Sequence, residues 1–300
     1  THYRKIAVAR QADGDLSKSN VLLIGPTGTG KTLLCATLSR VLDVPFVTAS
    51  ATSLAQTRYV NEEIEAILLR LVEQAGGDPL RAQQGIVFID EIDKLRKAAD
   101  QPGSGSGESV QHALLKIMEG TPVKLAAGQH LDTSNILFIG GGAFVGLEHI
   151  MARTHSFGYI GTSGNEDQSV LDRLNSRVKP TDLFEFGLIP EFTGRLPVVA
   201  RFQPLSKAQL VRILVEPRNA LYRQFREIFA HEGVELVIED PVFEQIAELA
   251  TEYQAGARSL RGIFEEMITP VLYLVPDHPE IGRVVLSSLF APARFTRRSA

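Results

Sequence analysis

Three hundred residues, 44% of them hydrophobic, leave room for one large or two ordinary domains, each with its own core. A formal net charge of -4 excludes a chain-wide basic surface of the kind that draws nucleic acid or an anionic membrane, so neither is expected as a partner. The single cysteine, Cys35, excludes an internal disulfide and any multi-cysteine zinc site, and fits a reducing compartment.

In chain order, the first twenty residues hold basic side chains but no apolar run long enough for a secretory signal. The longest greasy stretch, ILFIGGGAFVGL from Ile136, is too short and too glycine-rich to span a bilayer, and a cytoplasmic protein is expected. The chain starts at Thr1 rather than Met, inside what reads as the end of an amphipathic helix, and is expected to be a piece of a longer protein. Three short apolar runs, SNVLLIG, GIVFID and SNILFIG, read as buried parallel strands, each followed by a turn and then by helix-like sequence. Between them, LLCATLSRVL and NEEIEAILLRLVEQA carry apolar residues at helical spacing, the second opening on acidic residues suited to a helix N-terminus. This alternation predicts a three-layer α/β domain over residues 1–200. DQPGSGSGES, from Asp100, reads as a loop, and GRLPVVARFQPLS, with two prolines and no periodicity, reads as a connector. Residues 201–300 are dominated by helical patterns, with short strand candidates at VELVI and RVVLSS, and predict a smaller, mainly helical domain.

The chemistry starts at Gly25-Pro26-Thr27-Gly28-Thr29-Gly30-Lys31-Thr32, a G-x-x-x-x-G-K-[ST] loop between a strand and a helix. Main-chain amides of such a loop wrap the α- and β-phosphates of ATP, Lys31 pairs the β/γ-phosphates, and the Thr32 hydroxyl is placed for Mg²⁺. GIVFIDEIDK supplies the other half: Asp90, at the end of a buried strand, would hold Mg²⁺ through water, and Glu91 would orient and polarise the attacking water. Asp93 and Lys94 read as an ordinary surface ion pair. No guanine-reading N-K-x-D and no LSGGQ-like signature is present, which argues against a GTPase and an ABC ATPase.

Beyond these motifs, GPTGTGKTLL, RYVNEEIEAIL, GIVFIDEIDKL, ESVQHALLKIMEGT, FGLIPEFTGRLPVV and AGARSLR follow one another in the order seen in the bacterial ClpX unfoldases. The chain resembles that family from about Ser19 to about Glu265. HslU unfoldases share several of these segments but carry a large inserted domain for which this chain has no room. The resemblance implies a P-loop AAA+ α/β domain followed by a small helical domain. It also implies a homohexameric ring that uses ATP and Mg²⁺ to unfold polypeptide substrates and thread them toward a ClpP-like peptidase. By the same resemblance Arg195 matches the arginine finger that completes a neighbouring subunit's site, and Arg258 matches the sensor-2 arginine. Leu205 matches an apolar contact to adenine, and Tyr59 with Val60 matches the substrate-gripping pore loop. Phe157-Gly158-Tyr159 is the best match to the peptidase-docking tripeptide. Plainer roles stay open for several of these: a local ion pair with Glu191 for Arg195, a surface position for Arg258, core packing for Leu205, and helix-start packing for Tyr59.

The chain departs from the family at several points. Arg58 and Asn61 stand where glycines flank the pore-loop pair. The second pore loop is short and Ser/Gly-rich, and the basic tag-reading insertion is cut down to KLAAGQHLDT. Tyr159 brings a hydroxyl to an apolar docking motif, and Gly140-Gly141-Gly142 occupy the stretch that usually supplies a polar sensor-1 side chain. The zinc domain and the stretch forming one wall of the adenine pocket precede Thr1 in the family. A remodelling ATPase acting on a dedicated partner without proteolysis, and a nucleotide-gated scaffold, remain as alternatives.

Overall fold

The computed structural model describes residues 2–3, 18–96, 106–125, 128–155 and 177–298. The chain divides into two compact units, Thr1–Gly25 with Lys31–Phe202, and Pro26–Gly30 with Gln203–Ala300. Strands of the first unit are β1 (Val21–Ile24), β2 (Phe46–Ser50), β3 (Ile86–Asp90), β4 (Pro122–Lys124), β5 (His130–Asp132), β6 (Leu137–Gly142) and β7 (Val198–Arg201). Its helices are α1 (Lys31–Leu42), α2 (Ala51–Gln56), α3 (Val60–Gln74), α4 (Pro79–Ala82), α5 (Ser106–Glu119), α6 (Leu147–His155), α7 (Pro180–Phe186) and α8 (Pro190–Gly194).

Five strands form one sheet in the order β2-β3-β6-β1-β7, and every neighbouring pair is parallel. Because side chains alternate across a strand, each apolar run feeds two cores at once. Leu22, Ile24, Val87, Ile89 and Phe138 pack on one side with α2, α3 and α5. Leu23, Ile86, Phe88, Leu137 and Ile139 pack on the other with Cys35 of α1. This is the three-layer α/β arrangement that the alternating apolar runs predict. The expected connector behaves differently: Val198–Arg201 pairs along β1, from Val21↔Val198 to Ile24↔Arg201, and forms the edge strand β7. An edge strand exposed on one side needs less apolar periodicity than a central one, which is why the segment reads as irregular.

The second unit contains α9 (Lys207–Val215), α10 (Leu221–His231), β8 (Glu235–Ile238), α11 (Asp240–Glu252), α12 (Arg258–Leu274), β9 (Ile281–Leu286) and β10 (Arg294–Arg297). Its helices pack Leu210, Phe229, Ile246, Ala247, Phe264 and Ile268 into a separate core. Ser206 caps α9 by accepting from the Gln209 amide while the Gln209 side chain accepts from the Ser206 amide, a capping box that sets where the helix begins. Among the described residues no helix is long and apolar enough to cross a membrane.

Candidate functional site

Strand register assembles the site. Ile24 lies level with Gly142, and Ile89 with Gly140, so the C-terminal ends of β1, β6 and β3 share one edge of the sheet. Ligands of open parallel sheets collect at that edge. β1 and β3 are separated only by β6, about 10 Å by the usual strand spacing. Within this unit, Gly25 at the end of β1, Lys31 and Thr32 at the start of α1, and the acids after β3 therefore lie at that same edge.

The loop is set by its glycines. Gly25 donates its N–H to Gly142 O at 3.1 Å, and a Cβ on Gly25 would lie 2.6 Å from Phe202 atoms, so only glycine lets the loop leave β1 here. Gly28 and Gly30 have φ of 77° and 88°, which favour glycine; a Cβ on Gly28 would clash with Ala255 O, whereas no atom lies within 4 Å of where a Gly30 Cβ would sit. α1 starts at Lys31, which turns its first-turn amides toward the loop. Lys31 is buried, with Nζ donating to Gly25 O at 2.7 Å, and Thr32 is exposed beside it. This geometry fits a phosphate chain.

Asp90 ends β3 and accepts the Glu91 N–H at 2.9 Å. Its charge reaches α1: the Cys35 thiol is pushed up to about 12, chiefly by burial and then by Asp90. Glu91 sits in the left-handed region, φ 60° and ψ 31°, a conformation costing a residue with a Cβ about 1–2 kcal/mol. Its Oε2 accepts from Thr52 Oγ1 at 2.6 Å and Ser50 Oγ at 3.2 Å. Among the described residues no three His, Cys, Asp or Glu converge on a metal position. A hard cation would need phosphate oxygens and water beside the Thr32 hydroxyl and the Asp90 carboxylate, which is how magnesium is usually held.

Asp93 corrects the surface reading: it is buried, and its Oδ2 accepts the N–H of Phe144, a residue at φ 52°, at 3.3 Å. The glycines at the end of β6 have a packing reason. A Cβ on Gly140, Gly141 or Gly142 would come within 2.5–2.6 Å of Ile92, Phe88 and Asp93 side-chain atoms respectively, so any side chain at this strand end would have to displace them.

Other candidates are spread more widely. Tyr59 is 65% exposed at the start of α3, while Val60 leans on the main core, so only the tyrosine projects freely. Arg195 caps α8 and pairs with Glu119 at 2.6 Å rather than with Glu191. Arg258 is the exposed first residue of α12. Within the second unit, Leu205 lines a cavity of about 310 Å³ together with Pro26, Thr27, Thr29, Gln254 and Gly256, and Ala257 N–H donates to Gly28 O at 3.2 Å. Phe157, Gly158 and Tyr159 lie outside the described residues, as does most of DQPGSGSGES.

Sequence reasoning missed Ser50 and Thr52 on Glu91, Gln111 and Glu119 on α5, and Asn20 at the foot of β1. Each is polar and none belongs to a chemical motif. What distinguishes them is the partner that the fold brings, and no spacing rule reports that.

Comparison with known proteins agrees with this architecture. Residues 16–199 match the AAA domain (Cdc48 subfamily), and residues 205–280 match the C-terminal D2-small domain of ClpB protein. A Methylococcus capsulatus protein described as ATP-dependent Clp protease ATP-binding subunit ClpX 3 is 45% identical over 293 residues, covering 91% of this chain and 67% of that relative. The Azotobacter vinelandii ATP-dependent Clp protease ATP-binding subunit ClpX is 45% identical over 287 residues, covering 89% of this chain and 64% of its own length. The chain thus spans about two thirds of the relatives it matches. With the parallel sheet, the glycine loop and the paired acids already placed, this similarity over nine tenths of the chain shows that it belongs to the ClpX family of AAA proteins.

Proposed function

We propose that this chain is the ATP-hydrolysing module of a cytoplasmic, homohexameric protein unfoldase and translocase that supplies unfolded polypeptide to a ClpP-like peptidase. One observation carries the reading: parallel register brings Gly25, which follows β1 and opens the glycine loop, and the Asp90–Glu91 pair to one edge of the sheet. The relatives' description as ATP-binding subunits of a Clp protease supports the peptidase partner.

In this reading main-chain amides of the loop and Lys31 bind the phosphates. Thr32 and Asp90 hold Mg²⁺, which when bound neutralises charge on the phosphate oxygens. Glu91 takes a proton from the attacking water. That requires its carboxylate to turn from Thr52 and Ser50 toward the phosphate, and the two hydroxyls give it a defined resting position. Leu205 contacts adenine, Arg258 reads nucleotide from the helical unit, and Arg195 reaches the site of a neighbouring copy. Tyr59 and Val60 grip polypeptide by bulk apolar contact, which tolerates many sequences. Phe157-Gly158-Tyr159 docks the peptidase.

The test is a coupled one in the full-length protein. ATP turnover should rise with protein concentration as rings form, and addition of the peptidase should give ATP-dependent degradation of a folded substrate. Tyr59→Ala should slow degradation more than ATP turnover. Turnover independent of concentration would argue for a monomeric ATPase, and equal degradation by Tyr59→Ala would remove the tyrosine from the grip.

A further inference from the structure

Arg195 is exposed, as a residue acting on another copy must be, yet its surroundings hold it at three points. At the start of α8, the Ile189 N–H donates to Gln111 Oε1 at 2.8 Å, and Gln111 is fully buried on α5. At the end of α8, the buried amide of Asn20 donates both to Arg195 O at 3.1 Å and to Met118 O at 3.3 Å, tying the arginine's main chain to the last turn of α5. Asn20 Oδ1 also accepts the Phe138 N–H at 3.3 Å, so this tie is anchored in the central sheet. Beyond the main chain, Arg195 Nη2 meets Glu119 Oε1 at 2.6 Å. Gln111 and Glu119 are eight residues apart on α5, about two turns or 12 Å, and so lie on one face. One helix face therefore grips the segment Ile189–Arg195 at both ends.

An isolated surface ion pair contributes little, because two long side chains must be frozen to make it. Here the main chain on both sides is already tied by hydrogen bonds to the buried side chains of Asn20 and Gln111, so the pair selects a rotamer of an arginine whose backbone is held in place. We infer that Glu119 is a positioning residue for Arg195, holding the guanidinium in the direction from which it meets the nucleotide of a neighbouring copy. The inference rests on reading Arg195 as the residue that acts in trans.

The experiment measures steady-state ATP turnover of the full-length protein for Glu119→Ala, Glu119→Gln, Arg195→Ala and the double variant Glu119→Ala/Arg195→Ala. Glu119→Ala should lower kcat about tenfold with KM for ATP changed less than about twofold, as for loss of orientation without loss of binding. Glu119→Gln, which keeps an acceptor oxygen, should recover most of the rate. The double variant should be no slower than Arg195→Ala alone, because the carboxylate acts only through the arginine. Unchanged or raised turnover in Glu119→Ala, a further loss in the double variant, or a defect confined to KM would each overturn the proposal. Full activity in Arg195→Ala would instead remove the trans role of the arginine itself, a separate result visible in the same data.

Discussion

Glu91 holds a backbone conformation that glycine would adopt without strain, and it does so one residue past a strand whose first four side chains are buried. The cost of that conformation, with two hydroxyls fixing its carboxylate, supports the base role proposed for Glu91. Glu91→Gln should leave Mg-ATP binding near the parent value and slow hydrolysis by about 100-fold or more, the usual contribution of a general base. A nucleotide titration paired with a phosphate-release assay checks this, and equal rates for variant and parent would remove Glu91 from the chemistry. Lys18 makes a second residue-scale prediction. Its Nζ donates to Thr133 O at 2.7 Å and lies 4.8 Å from the Phe138 ring centre. Burial pushes its pKa from 10.5 down to about 7, with Asp132 opposing and Arg195 reinforcing the shift. Between pH about 7 and 10.5 the unfolded chain therefore keeps a proton that the folded chain releases, and stability from this group rises with pH across that window. Below about 7 both states are charged and the burial penalty is fully present. Relative to Lys18→Met, the parent should gain stability as pH climbs through this window, by at most about 1.4 kcal/mol per pH unit, read as a rising Tm. A constant Tm gap across the range would show that the amine stays charged in the fold.

Elements carry the next level of the argument, and β6 is the clearest case. A strand in the middle of a sheet would ordinarily avoid three glycines, since they bring backbone entropy and no packing. Here Phe88, Ile92 and Asp93 already fill the space a Cβ would need, so neighbouring elements close onto bare backbone. Gly141→Ala should cost about 1–3 kcal/mol through overpacking against the Phe88 ring, read as a lower Tm by thermal melting. A neutral result would mean that the ring can step aside. The same strand shows where sequence reading stops. The apolar run announces a buried strand, and the glycines look like an empty sensor position. That they are a packing solution depends on β3 and its turn lying alongside, which no local pattern states. The Gly25–Thr32 loop and the Asp90–Glu91 pair were legible because phosphate chemistry demands those residue types at fixed spacing, independent of what packs around them. Asn20, Gln111 and Glu119 were not, because a buried amide or a carboxylate gains its meaning only when a distant carbonyl or guanidinium arrives opposite it. β7 was hidden for a third reason: an edge strand is half solvated, and prolines nearby mask its short apolar run.

At the scale of the proposed assembly, a ring built head to tail would make each interface out of two different surfaces, one carrying the nucleotide site and the other carrying the arginine. Glu91→Gln damages the first surface and spares the second. Arg195→Ala does the reverse. Each variant alone should be nearly inactive, since every interface in its ring then lacks one necessary group. In an equimolar mixture, an interface that takes its site from an Arg195→Ala subunit and its arginine from a Glu91→Gln subunit is intact, and random placement makes about a quarter of interfaces so. Mixing the two inactive proteins should therefore restore turnover, toward about a quarter of the parent value if interfaces fire independently. The restored rate should collapse on dilution below the concentration at which rings hold together, as mass action requires. No recovery on mixing, with ring formation confirmed by sedimentation, would place Arg195 at its own subunit's site and make its ion pair with Glu119 a local matter of folding.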